Sequence, residues 1–248
     1  MQCWKLAIIA AAILAGGPVA HADVLYYNAT NEGFTVGLPP PLTGPPDAPT
    51  SQDPNLGLTV EAGATGAPNL GPDKFLRLTE SPGEAPDFRY DIGTSLTSGK
   101  VRVSMDLLFE NLEDYHVYFR ETLTSATSVA NFQFRPSGAI VIDTVGGSFA
   151  AGTYTAGTSY ELETFLDLDA DVMDVFLNGT QIASGLAIDD VFGAAIIGFE
   201  FTSVVPGPGF DGLMQVDNFQ VAAVPEPATL ALLGLGLAGL GFGRRRRA

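Results

Sequence analysis

Reactive side chains are scarce in this chain. Among its 248 residues there is one cysteine, Cys3, one tryptophan, Trp4, and two histidines, His21 and His116. A disulfide framework is therefore excluded, and so is a zinc site built from several His or Cys ligands. A Ser/His/Asp or Cys/His catalytic site has only His116 to draw on past the first thirty residues. Positive charge is also short, with 12 Lys and Arg against 28 Asp and Glu and a formal net charge of −16. Nucleic acid and anionic lipid are poor partners for such a body. No segment of the interior sustains helical periodicity over three turns, and no internal repeat marks a propeller or a solenoid.

The two ends differ from the rest. Lys5, the apolar run 6–15 and the small residues flanking His21 in Ala20-His21-Ala22 make a signal peptide over 1–22, cut by signal peptidase before Asp23. The apolar run falls short of the ~20 residues a spanning helix needs, and Cys3 precedes the run, which excludes a lipoprotein. At the other end come Val224-Pro225-Glu226-Pro227, an apolar Gly-rich run over 228–242, and Arg244, Arg245, Arg246 and Arg247. The two prolines fix φ and remove two donors, holding the motif extended. The apolar run partitions into a bilayer, and the arginines keep its end on the cytoplasmic side.

This tail, over 223–248, resembles the PEP-CTERM sorting signal of Gram-negative bacteria, with Pro225, Glu226 and Pro227 as the sorting motif. The resemblance implies a hydrophobic sorting helix, transient insertion in the inner membrane, cleavage by an exosortase, and delivery to the cell surface or extracellular matrix.

Trimming both ends leaves a domain over 23–222. Of the 12 bases, Lys5 and four arginines go, leaving seven; of the 28 acids, only Glu226 goes, leaving 27, for a net charge of −20. Without cysteine, burial alone must stabilise it, and about 200 residues suffice for a single core.

Within it, short runs of β-branched and aromatic residues recur between Gly, Pro, Asn and Asp clusters. The clearest strand is 101–109, with Val101, Val103, Met105, Leu107 and Phe109 on one face. Leu108 interrupts the polar face, which implies that this side is partly covered too. Val117 and Phe119, Phe132 and Phe134, and Ile140 and Ile142 repeat the alternation, as does 160–168. Asn178-Gly179 marks a two-residue hairpin turn between 172–177 and 180–183. Further strands are expected at 24–28, 75–79, 88–92, 194–201 and 213–221, about a dozen in all. Residues 38–54 hold seven prolines and read as a long exposed loop or mobile linker, unable to supply a central strand.

An all-β, antiparallel two-sheet β-sandwich follows. The cadence Tyr160-Glu161-Leu162, Asp167-Leu168-Asp169, Val175-Phe176-Leu177-Asn178-Gly179 and Met214-Gln215-Val216-Asp217-Asn218-Phe219 resembles the concanavalin A-like (laminin-G-like) jelly roll over about 100–221.

Catalysis is not expected. The Glu-x-Asp-x-x-Glu type of string that places two carboxylates for glycoside hydrolysis is missing, and no tryptophan flanks Glu161, Glu163, Asp167 or Asp169. No cofactor is called for. Calcium is the one metal for which the chain offers ligands: Asp167, Asp169, Asp171 and Asp174 crowd one turn, with Asp189, Asp190, Asp211 and Asp217 as further oxygen donors. Val172 and Asn178 stand where an EF-hand needs Gly and Glu. For glycan contact the chain offers Tyr115 and Tyr118, with Arg120 and Gln133 as hydrogen-bonding neighbours, and Tyr154 and Tyr160 as further tyrosines. The expectation is an exported structural or adhesive component associated with exopolysaccharide in a biofilm, its partners being signal peptidase, exosortase and the polysaccharide. A carbohydrate-binding (lectin-like) module and a polysaccharide-degrading enzyme stand as the alternatives.

Overall fold

The computed structural model describes residues 24–44, 47–53, 57–63, 70–79, 87–121, 128–188, 195–203 and 213–224. The expected signal peptide, the sorting motif Pro225, Glu226 and Pro227, Arg244–247, and Asp189, Asp190 and Asp211 lie outside the described residues.

Alternating apolar residues build fifteen strands: β1 (Val24–Ala29), β2 (Ser51–Gln52), β3 (Gly57–Ala62), β4 (Lys74–Thr79), β5 (Asp87–Leu96), β6 (Lys100–Phe109), β7 (Tyr115–Arg120), β8 (Ser128–Phe134), β9 (Ala139–Thr144), β10 (Gly147–Thr153), β11 (Ser159–Asp167), β12 (Val172–Leu177), β13 (Thr180–Ala187), β14 (Ile196–Ser203) and β15 (Leu213–Ala223). One sheet has eight strands in the order β13-β12-β11-β6-β15-β4-β3, with β1 also paired to β15; the other has seven, β10-β9-β8-β7-β14-β5-β2. The pairings are antiparallel, and the molecule is the expected two-sheet sandwich.

The inner faces meet in an aromatic core. Tyr27, Phe88, Tyr90, Phe109, Phe119, Phe132, Phe134, Phe199, Phe201 and Phe219 are fully buried. Tyr90 stacks on Phe219 at 4.4 Å between centroids, and Phe88 on Phe201 at 4.8 Å. Such pairs add about 0.5–1.5 kcal/mol each beyond the area they bury, which supplies cohesion that no disulfide provides. Leu108, on the outward side of β6, is buried as its interruption of the alternation implied. Its neighbours across the ladder are Ser159 and Gln215.

β15 is the central strand of its sheet, bordered by β6 on one side and by β4 and then β1 on the other. Its register shifts between Asp217 and Gln220, where Asn218 takes a left-handed φ of 50°. Asn tolerates that region because its side chain bonds locally, and Asn218 Nδ2 donates to Asp106 Oδ2 at 2.8 Å.

The Pro-rich stretch departs from the expectation of an exposed loop or mobile linker. Ser51 and Gln52 pair with β5 at the sheet edge, the position proline-rich chain can occupy. The Tyr27 hydroxyl donates to the Ala48 carbonyl at 2.6 Å, and Ala48 is fully buried. A buried phenol needs a partner, and a carbonyl in this stretch is what it finds. β3 and β10 were not expected either: the first is an edge strand whose Leu58 and Val60 point inward, and the second, Gly147–Thr153, is an edge strand rich in small residues with Gly152 at φ 130°.

Candidate functional site

The segment Tyr115-His116-Val117-Tyr118-Phe119-Arg120 forms β7 in the middle of the seven-stranded sheet. Period-two alternation sends Tyr115, Val117 and Phe119 into the core, each fully buried, and His116, Tyr118 and Arg120 to the outer face. Tyr115 is therefore not a glycan contact. It packs on Phe109, and its hydroxyl is engaged by Asn111 Oδ1, which accepts from it, and by the Leu213 backbone. Burial pushes its phenol well up. Tyr154 and Tyr160 are likewise buried, their hydroxyls bonded to the Glu113 carbonyl and the Thr155 amide.

The other three residues offered from sequence do share a face. Registers across the sheet place Ser51 (β2), Arg89 (β5), Glu200 (β14), Tyr118 (β7), Asn131 (β8), Asp143 (β9) and Ser148 (β10) directly opposite one another, strand to strand. Direct cross-strand partners point to the same side. The result is one polar rung crossing all seven strands, about 29 Å long at ~4.8 Å per strand. A parallel rung runs Asp87, Thr202, His116 and Gln133, and Arg120 faces Gly198 on the opposite side. Exposure follows a gradient: Glu200 and His116 are buried, Tyr118 and Asn131 are half-buried, and Ser51 and Ser148 at the two rims are exposed. The centre of the polar face is its least exposed part.

Its interior is tightly wired. Arg120 donates to Glu200 through Nε at 3.0 Å and Nη2 at 2.6 Å, and Arg89 Nε lies 3.0 Å from the same carboxylate. The Arg120 guanidinium also covers the Tyr118 ring, 4.2 Å from its centroid. The arginine is thus committed to Glu200 and to fixing the tyrosine. Tyr118 Oη is 3.0 Å from His116 Nδ1, and the two rings stack at 27°. Burial raises the Tyr118 phenol above its ordinary value against the opposing pull of Arg120, so it remains a hydroxyl at neutral pH. His116 Nε2 approaches Asp114 Oδ1 to 3.2 Å without hydrogen-bond alignment. Gln133 Nε2 donates to Asp143 Oδ2, while Asp143 Oδ1 is buried without a hydrogen-bond partner.

Glu200, Arg89, Asn131 and Asp143 escaped the sequence reading. Alternation places each on a polar strand face, but only the nonlocal order β5-β14-β7-β8-β9 aligns them.

The calcium ligands are not assembled. Asp167 pairs with Lys100 Nζ at 2.9 Å and accepts the amides of Asp169 and Ala170, closing a turn. Its carboxyl is held below the ordinary value by Lys100. Asp174 Oδ1 accepts Ser184 Oγ and the Gly185 amide. Asp169 is exposed and Asp171 sits at φ 54°. Asp217 is buried and accepts Asn31 Nδ2 at 2.9 Å. Among the described residues no group of three or more His, Cys, Asp or Glu comes together as a metal site. Turn-capping accounts for Asp167.

Glu161 and Glu163, set aside as a catalytic pair, line a polar hollow of about 280 Å³ on the outer face of the eight-stranded sheet, with Arg102, Asp106, Asn218 and Gln220. Arg102 Nη1 lies 3.7 Å from Glu163 Oε1.

Residues 223–247 match the PEP-CTERM protein-sorting motif. That match implies export, processing by an exosortase and sorting to the surface of a Gram-negative cell. Among the described residues no helix is long and apolar enough to cross a membrane. No curated protein matches the chain. Solved structures similar to it include the carbohydrate esterase vb_24B_21 from the Shiga toxin-encoding bacteriophage phi24B (10% identity, 82% of this chain and 100% of that one, TM-score 0.57). Cip1, a cellulose induced protein, is similar over 79% of this chain and 97% of its own (12% identity, TM-score 0.55). A sialidase matches 67% of this chain (16% identity, TM-score 0.52), which spans 17% of the sialidase. At such identities these likenesses show the β-sandwich fold.

Proposed function

We propose that this exported protein is a non-enzymatic adhesive component of the cell surface or matrix, binding exopolysaccharide along the polar rung of its seven-stranded sheet. The observation that carries this reading is the alignment of Ser51, Arg89, Glu200, Tyr118, Asn131, Asp143 and Ser148 across seven strands. An extended polymer with regularly spaced hydroxyls matches a straight row of donors and acceptors. Tyr118, pinned by Arg120 and His116, supplies a rigidly held ring edge and hydroxyl at the centre. Turnover is not part of the reading, because His116 lacks an aligned carboxylate and Glu200, the buried acid of the rung, is already held by Arg120 and Arg89.

Titration calorimetry with polysaccharide purified from the host's own matrix tests it. Tyr118→Ala and Gln133→Ala should each weaken binding about tenfold, the loss of about 1–1.5 kcal/mol expected for a hydrogen-bonding contact. Unchanged affinity in both variants would remove the rung as the binding face. Product release from the polysaccharide, abolished by His116→Ala, would instead establish the degrading enzyme.

A further inference from the structure

The eight-stranded sheet ends where the sorting motif begins. β15 runs to Ala223, and the Val224 amide still donates to the Lys100 carbonyl at 2.8 Å, so the ladder with β6 continues to the residue before Pro225. Pro225 and Pro227 have no N–H to extend it. At this exit is a hollow of about 150 Å³ on the outer side of the sheet. Val224 is part of its wall, with Phe165 and Val172 giving apolar surface and Lys100, Asp167 and Asp174 its rim.

The rim carboxylates are already satisfied: Asp167 by Lys100 and two amides, Asp174 by Ser184 and Gly185. The hollow therefore does not call for a cation. It offers half-buried Phe165 and Val172 and a half-exposed ammonium with three donors. An anionic membrane surface does not suit a site bearing two carboxylates.

We propose that this hollow seats the chain's own sorting motif, with a proline ring of Pro225-Glu226-Pro227 on Phe165 and Val172 and the Glu226 carboxylate beside Lys100. Three features converge on that occupant. The motif starts one peptide bond beyond a residue of the wall, so no slack separates it from the hollow. Its two prolines match the apolar surface, and its one charge is opposite to that of Lys100. Docking of this kind holds the motif at a fixed place on the folded domain, coupling presentation of the cleavage signal to completion of β15.

Cysteine pairing in the full-length chain tests the proposal. In a Cys3→Ser background, Val172→Cys with Pro227→Cys is compared under mild oxidation with Ser137→Cys and Pro227→Cys. Ser137 lies in the β8–β9 hairpin, at the end of the sandwich where β15 begins. Docking predicts disulfide formation at least tenfold faster in the first pair. It also predicts a fivefold or greater loss of that rate when Lys100→Glu is added and retention with Lys100→Arg. Lys100 is outward-facing, and equal melting temperatures for the two Lys100 variants separate undocking from unfolding. Equal rates in the two cysteine pairs, or indifference to Lys100→Glu, would overturn it.

Discussion

Asp217 occupies a place hostile to a carboxylate. It lies on β15 with only 4% exposure, and burial, with Asp106 and Glu32 adding like charge, pushes it up to about 6 against the bonds from the Asn218 amide and Asn31. Its one side-chain partner, Asn31, keeps an unpartnered buried Oδ1. A carboxyl whose folded value is raised binds more protons when folded than unfolded. Its stabilising contribution is complete below pH ~4 and is lost as the pH rises through about 6, about 3 kcal/mol for a displacement from 3.8. Asp217→Asn should therefore stabilise the domain at pH 7, its amide also donating to Asn31 Oδ1, and change it little at pH 4. Urea unfolding at both pH values checks this; an equal effect at the two would contradict it. The same residue shows how far sequence reaches at this scale. An aspartate in a β run reads as an exposed oxygen ligand, and only the pairing of β15 between β6 and β1 shows it enclosed.

Strands were legible because one buried face imposes a period of two, and the runs with clean alternation, β6, β7, β8 and β11, appear where that period puts them. Tyr115 was misjudged against the same rule, since it shares parity with Val117 and Phe119. The edge strands β2 and β10 were invisible because edge residues answer to one neighbour and carry little apolar signal, whereas β3 was missed although Leu58 and Val60 alternate with Thr59 and Glu61. The polar rung was invisible for another reason: its members come from strands as far apart as β2 and β14, and single-chain periodicity says nothing about which strands pair. Turn chemistry was legible. Asn178 and Gly179 take φ of 49° and 70°, the two positive values a type I′ hairpin needs. Gly179→Ala should cost about 1 kcal/mol, because its φ is strained for any residue with a Cβ although no neighbouring atom obstructs one. Thermal unfolding of the variant measures it, and a wild-type melting temperature would contradict the turn assignment.

At the scale of the molecule, the first and last strand residues among those described meet. Val24 of β1 lies opposite Ala223 of β15, so the expected signal-peptidase site and the sorting motif leave the sandwich at the same end of one sheet. A domain delivered this way carries its polar rung on the other sheet, away from the strands that join it to the tail. Glu226→Ala removes the only charge of the motif and should leave a cell-associated precursor, seen by immunoblotting cells and medium; normal release of the variant would contradict sorting through this tail. A protein that is exported, cut at both ends and retained by matrix polysaccharide is the central proposal. The most direct measurement is the intact mass of the protein recovered from the polysaccharide fraction of its native host. A chain beginning at Asp23 and ending within residues 224–227 is expected. A chain that retains Arg244–247 and fractionates with the inner membrane would contradict it.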